Sequence, residues 1–177
     1  MADIEPFLSL DIEAATAARI AASPESPWAQ LIGYWRRLAA RLGPVPARGD
    51  IDPVEIGGQL LGNLFLVDIE PGAGPGEGKR YRFRLVGERI AARETVRPGH
   101  YLTDIAHTPD IDGIERHYAD AQAGRIRLRE TTLKWESPDK DHVHYRSVVL
   151  PLAASDDPGR IGHLIGCAVY DDEKWFG

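Results

Sequence analysis

The chain has 177 residues, 43% of them apolar, and a formal net charge of −6. That length favours one domain with extensions, large enough to fold without a disulfide or metal staple. The acidic balance argues against a general phosphate-backbone binder, which needs a basic face. Arg80, Arg82, Arg84, Arg89, Arg93 and Arg97 still make a local basic cluster. The single cysteine, Cys167, cannot close an internal disulfide and fits a reducing compartment. Residues 1–10 lack the basic start of a signal peptide, and no run approaches the roughly 18 apolar residues of a membrane span. A cytoplasmic protein with no nucleic-acid and no membrane partner is expected.

Residues 12–22 are alanine-rich and predict a helix that docks weakly or swaps onto a partner. Pro24 ends it. The next helix carries the clearest signal. Ser26 suits its N-cap and Pro27 its first turn. Trp28, Leu31, Ile32, Trp35, Leu38, Ala39 and Leu42 then share one face. Gly43 and Pro44 stop it. Two tryptophans on one face need a large surface: the domain's own sheet, or a dimer partner.

A proline-containing connector leads to Asp52-Pro53-Val54-Glu55, the start signal of a short helix reaching about Leu61. Residues 64–70 predict a strand with Phe65, Val67 and Ile69 on one face and Leu66 and Asp68 on a wetter one. Residues 71–78 hold four glycines and two prolines. They lack the Gly-Lys-Ser/Thr ending of a phosphate loop and precede a strand, so a hairpin tip is the expected role. Tyr81-Arg82-Phe83-Arg84-Leu85-Val86-Gly87 alternates as a second strand and stops at glycine.

About two helical turns are expected over residues 87–94 and a short turn over 101–105. A longer helix is expected over 109–123, with Ile111, Ile114, Tyr118 and Ala121 at helical spacing and Gly124 as its stop. Three strands follow over 125–136, 142–153 and 160–170, separated by turns at Ser137-Pro138-Asp139-Lys140 and Ser155-Asp156-Asp157-Pro158-Gly159. The order predicts an α+β domain built on an antiparallel sheet. Residues 1–45 are read as an N-terminal helical extension and 46–177 as the domain proper.

Several stretches resemble the PAS fold, and more closely a bacterial family of stand-alone PAS-like proteins. They are Tyr34-Trp35, Pro46-Ala47-Arg48 with Asp50-Ile51-Asp52-Pro53, Leu60-Leu61 with Leu64-Phe65-Leu66, the Tyr81–Gly87 strand, and Gly99 with Leu102. The likeness covers about residues 28–170. The segment from Arg48 to Pro53, set against Arg84–Gly87, is its more specific part. The last three strands fit any PAS domain. The resemblance implies a five-stranded antiparallel sheet with short helices on one face. It also implies a pocket between them that in some members holds haem, flavin or a small metabolite. Other members hold nothing and serve as interaction surfaces. The chain ends just after the fifth strand, so a signal is expected to leave through a separate signalling protein or a change of oligomer.

The pocket is expected between the sheet and helix 109–123. Its expected lining is Phe65, Tyr81, Phe83, Tyr118 and Cys167, with Arg84 as a possible anion anchor. Arg84 has a second reading, a structural ion pair to Asp50 or Asp52. His117 lies where some haem-binding PAS domains carry an axial histidine; a surface or hydrogen-bonded histidine is the favoured reading. Cys167 lacks the motif of a photoactive cysteine and is read as a buried, inert thiol. His142 and His144 share a strand face, but no further metal ligands stand near. No Gly-x-Ser-x-Gly motif and no cysteine–histidine–acid motif is present. The expected function is a non-catalytic sensor or adaptor, dimerising through its N-terminal helices. The alternatives are a ligand-free interaction scaffold and a small enzyme on a cone-like α+β fold.

Overall fold

The computed structural model describes residues 10–105, 111–133, 143–170, 172 and 173. A short strand β1 (Asp11–Ile12) leads into helices α1 (Ala14–Ala22) and α2 (Pro27–Leu42). A 3-10 turn at Arg48–Asp50 precedes helices α3 (Pro53–Ile56) and α4 (Gly58–Leu61). Strands β2 (Leu64–Glu70) and β3 (Arg80–Val86) form the expected hairpin. Helix α5 (Glu88–Arg93), a 3-10 turn at Leu102–Ile105 and helix α6 (Ile111–Gln122) follow. The chain then runs through β4 (Arg125–Ile126), β5 (Arg129–Leu133), β6 (Val143–Ala153) and β7 (Ile161–Tyr170).

Five strands make one antiparallel sheet in the order β3-β2-β7-β6-β5. The α+β expectation and the five-stranded sheet are both borne out. β1 and β4 form a separate parallel pair, Asp11 opposite Arg125.

The start signals behave as read. The Ser26 hydroxyl accepts from Ala29 N at 3.4 Å and Asp52 Oδ1 accepts from Val54 N at 2.8 Å. The short helix after Asp52 is two helices, because Gly57 sits at φ +88° and breaks the run. The predicted strand over 125–136 is also broken. Leu128 N donates to the Thr16 hydroxyl at 2.7 Å instead of to a ladder partner. That bond joins α1 to the body of the domain. The predicted turn at 137–140 lies outside the described residues.

Helix α2 uses its apolar face within its own chain. Trp28, Leu31, Ile32, Trp35 and Leu38 are buried, and only Leu42 of the predicted stripe is exposed. Trp35 Nε1 donates to the Pro151 carbonyl at 2.7 Å, fixing α2 to β6. β6 and β7 are buried along nearly their whole length. α2 therefore covers one face of the sheet, and α5, α6 and the 3-10 turn at Leu102–Ile105 cover the other. Two covered faces explain the near-continuous apolar runs of β6 and β7.

Candidate functional site

A cavity lies on the second face, between the sheet and α5, α6 and the 3-10 turn. Its empty volume is about 500 Å³ with the open mouth included, of which about 30 Å³ can take the centre of a water molecule. Most of the wall is apolar: Phe65, Phe83, Ile90, Val96, Leu102 and Ile114. Glu94, His117 and Arg129 bring charge-bearing groups to the same wall.

The geometry of β2 and β7 makes this space. Phe65 pairs with Gly166, and its ring lies over that glycine. A Cβ at Gly166 would stand 2.3 Å from Phe65 Cζ. Any larger residue would push the ring into the cavity. Phe65 also stacks on Tyr118, centroids 6.2 Å apart, and meets Phe83 at 6.1 Å. A glycine inside a strand is the sequence sign of such a close approach.

Three of the six expected pocket residues, Phe65, Phe83 and Tyr118, line the cavity. Tyr81 stands behind the wall. Its hydroxyl donates to Gln122 Oε1 at 3.1 Å, and its ring meets Tyr118 edge-on at 5.1 Å. Burial, with Glu115 adding to it, pushes the Tyr81 hydroxyl up to about 12. Cys167 is one residue out of register. Its neighbour Ala168 faces the cavity, so by strand alternation Cys167 faces α2. It is buried, and burial pushes its thiol up to about 12, consistent with an inert sulfur.

Arg84 is neither in the cavity nor paired with Asp50 or Asp52. Asp50 Oδ2 accepts from Ala47 N at 2.7 Å and Asp52 caps α3, so both carboxylates serve their own loops. Arg84 Nε instead donates to Asp68 Oδ2. The β2–β3 register shows why. Leu66 pairs with Leu85 and Val67 with Phe83, which leaves Arg84 as the extra residue of a bulge. A bulge bends the strand and re-aims the side chain. Asp68, expected on the wetter face, is buried. His163 Nδ1 stands 2.8 Å from its Oδ1 and Arg48 Nη1 at 3.8 Å. Burial pushes the Asp68 carboxyl up, but the hydrogen bonds from Arg84 and His163 outweigh it, and the group stays below its ordinary value.

Glu94 and His117 are the residues the sequence reading missed or misjudged. Glu94 follows the end of α5 and is 8% exposed. The Tyr170 hydroxyl donates to its Oε1 at 2.6 Å. Burial raises Glu94 to about 7 even though the Tyr170 bond opposes the shift. His117 is 2% exposed, and neither ring nitrogen completes a hydrogen bond among the described residues. The Ser147 backbone comes near enough to favour the charged ring weakly, without the alignment of a bond. Burial lowers His117 to about 3, helped by the charges of Arg129 and Arg127. The expectation of a surface or hydrogen-bonded histidine is thus corrected. The signal was present: His117 stands three residues after Ile114 and four before Ala121, on the buried stripe of α6.

A neutral, unbonded imidazole would suit an axial haem ligand. The packed rings of Phe65, Phe83 and Tyr118 and the small inner volume do not fit a macrocycle as the wall stands. For a metal ion, no group of three or more His, Cys, Asp or Glu is gathered among the described residues. His142 lies outside them, so the His142–His144 pair is not described. No helix among the described residues is long and apolar enough to cross a membrane.

Comparison with known proteins adds the family. No curated protein matches the chain. Among solved structures it is similar to the LOV protein of Rhodobacter sphaeroides, at 10% identity, TM-score 0.43, over 63% of this chain and 60% of that one. It is similar to a fungal LOV domain photoreceptor at 13% identity, TM-score 0.43, over 85% and 98%. The dark structure of the blue-light photoreceptor Aureochrome1 LOV gives 12%, 0.41, 71% and 87%. Likeness at that level carries nothing about the cavity's contents. The family profile of the PAS domain matches residues 24–168, a span that takes in α2 as well as the sheet and the cavity. The chain belongs to the PAS domain family.

Proposed function

We propose that this chain is a sensory or adaptor protein that binds a small molecule in the cavity between the sheet and α6 and passes the signal to a separate protein. The observation that carries this reading is His117, a buried imidazole at a cavity wall whose two nitrogens have no hydrogen-bond partner among the described residues. Leaving a buried polar group unpaired costs about 1–3 kcal/mol. A ligand that pairs with the ring restores that loss. We read the chain as non-catalytic: among the described residues Cys167, its one cysteine, faces the other side of the sheet from the cavity.

Native mass spectrometry of gently purified protein tests the proposal. A bound small molecule in the native protein, absent in His117→Phe, supports it. A bare mass in both, unchanged by any added metabolite mixture, contradicts it.

A second reading, a ligand-free interaction module, is favoured by α1. Ala14, Ala15, Ala17 and Ala18 are exposed on that helix, while α2 is spent on its own sheet. Self-association through the N-terminal helices, as a homodimer, would run through α1 and not through the tryptophan face of α2. Sedimentation of the protein with and without residues 1–22 tests it. A dimer lost on truncation supports self-association there, and a monomer in both opposes it.

A further inference from the structure

We infer that the cavity selects a hydroxyl-bearing molecule: an alcohol or phenol whose oxygen pairs with the His117 ring and whose compact apolar body lies against the aromatic wall. The inference rests on the reading of the cavity as a ligand site and names what that site recognises.

Two side chains on the wall hold spare hydrogen-bonding capacity. His117 is buried, and neither ring nitrogen has a hydrogen-bond partner among the described residues. Glu94 is buried too. Its Oε1 accepts from the Tyr170 hydroxyl at 2.6 Å, and its Oε2 has no partner among the described residues. Arg129, also on the wall, is already partnered, with the Thr131 hydroxyl among its contacts.

The donors and acceptors of these two groups set what a ligand must offer. A neutral imidazole carries one donor and one acceptor. Burial lowers His117 to about 3, so the ring is neutral near neutral pH. A protonated carboxyl donates through its O–H, and an ionised one only accepts. Burial raises Glu94 to about 7, so both forms are present near neutrality. A hydroxyl both donates and accepts, so it serves either ring nitrogen and either form of the carboxyl. An ether or a carboxylate only accepts, and an ammonium only donates. Each of these suits one ring nitrogen and leaves the other without a match.

The remainder of the wall sets the body. Phe65, Phe83, Leu102 and Ile114 offer apolar surface. A second polar group placed against them would lose its water without replacement. The small inner volume keeps the body compact: a single ring or a short branched chain.

The test is a titration of the full chain with phenol, anisole and toluene, read by NMR of the cavity methyl groups and the His117 ring nitrogens. Phenol donates and accepts, anisole only accepts, and toluene does neither. Phenol is expected to bind about tenfold more tightly than toluene and to shift a His117 ring nitrogen, with anisole weaker than phenol. In His117→Phe the advantage of phenol over toluene is expected to shrink severalfold. Should His117→Phe fail to fold, the ring-nitrogen shift in the native protein decides: a shift with phenol and none with toluene supports the pairing. Equal binding of phenol and toluene would overturn the hydroxyl class and leave the ligand site standing. A preference for phenol that persists undiminished in His117→Phe would overturn the pairing with His117. Failure of all three compounds to move any cavity resonance would overturn the ligand site as well.

Discussion

The Tyr170 hydroxyl donates to Glu94 Oε1 at 2.6 Å, joining the last strand to the cavity wall. This one bond holds a carboxyl that is 8% exposed and that burial raises to about 7. A few residues away in space the same cavity carries His117, lowered to about 3. The two groups pull stability in opposite directions with pH.

Glu94 has a folded value above its ordinary 4.5. Its contribution is full below that value and is lost as pH rises through about 7. His117 has a folded value below its ordinary 6.5. Its contribution is full above that value and is lost as pH falls towards 3. Between 4.5 and 6.5 the slopes oppose each other, so native protein is expected to show a shallow pH dependence from this pair. Glu94→Gln removes one slope, and stability should then rise with pH through that window. His117→Phe removes the other, and stability should fall with pH. Each change amounts to a few kcal/mol at most across the window. Chemical denaturation at a series of pH values checks it; parallel profiles for both variants would be inconsistent with the assignment.

His117→Phe carries a second expectation. A histidine kept for folding would destabilise the protein when replaced. A histidine kept for a ligand sits unbonded in the free protein, and replacing it with an apolar ring should raise stability by about 1 kcal/mol. Denaturant midpoints of the ligand-free proteins decide. A loss of more than about 1 kcal/mol would mark the ring as structural.

Gly166→Ala is expected to cost about 1–3 kcal/mol and to abolish binding in the cavity. The new Cβ would stand 2.3 Å from Phe65 Cζ and drive that ring towards the ligand space. Gly166→Ala combined with Phe65→Leu should regain part of the stability, because the smaller side chain yields. No recovery in the double variant would count against direct contact as the cause.

The Asp68 cluster should behave as structure, independent of the cavity. Asp68→Ala strands His163 and Arg84 and should cost about 1–3 kcal/mol near neutral pH. In the native protein the Asp68 carboxyl lies below its ordinary value of 3.8, so its contribution is present above that value and is lost as pH falls below it. Arg84→Ala removes only a half-exposed, solvent-screened partner and should cost clearly less than Asp68→Ala. Neither variant should alter ligand affinity. Reduced affinity in Arg84→Ala would restore the role of anion anchor that its position on β3 suggested.

Much of the fold was legible because its signals are local and repeated. The stripe from Trp28 to Leu38, the caps at Ser26 and Asp52, and the alternation of Tyr81 and Phe83 each follow from chain geometry within a few residues. The aromatic wall of the cavity was legible for the same reason, since Phe65, Phe83 and Tyr118 fall on predictable faces. Cys167 failed by one position, because β7 is apolar on both faces and alternation gave no register. Arg84 failed because the bulge that turns it towards Asp68 depends on pairing with β2, which no local pattern records. Glu94 follows a two-turn helix and is buried by Tyr170, dozens of residues later in the chain. Its burial is a tertiary fact with no counterpart in nearby residues. His117 was misjudged for a different reason: its helical position marked it as buried, but the chemical prior for histidine outweighed the geometry.

The most direct test is a crystal structure of the protein purified gently and without added ligand, inspected at the cavity. Density larger than a water is expected within hydrogen-bonding distance of a His117 ring nitrogen, with its apolar part against Phe65 and Phe83. A well-ordered structure in which the His117 nitrogens bond to protein groups and the side chains close over the space would contradict it.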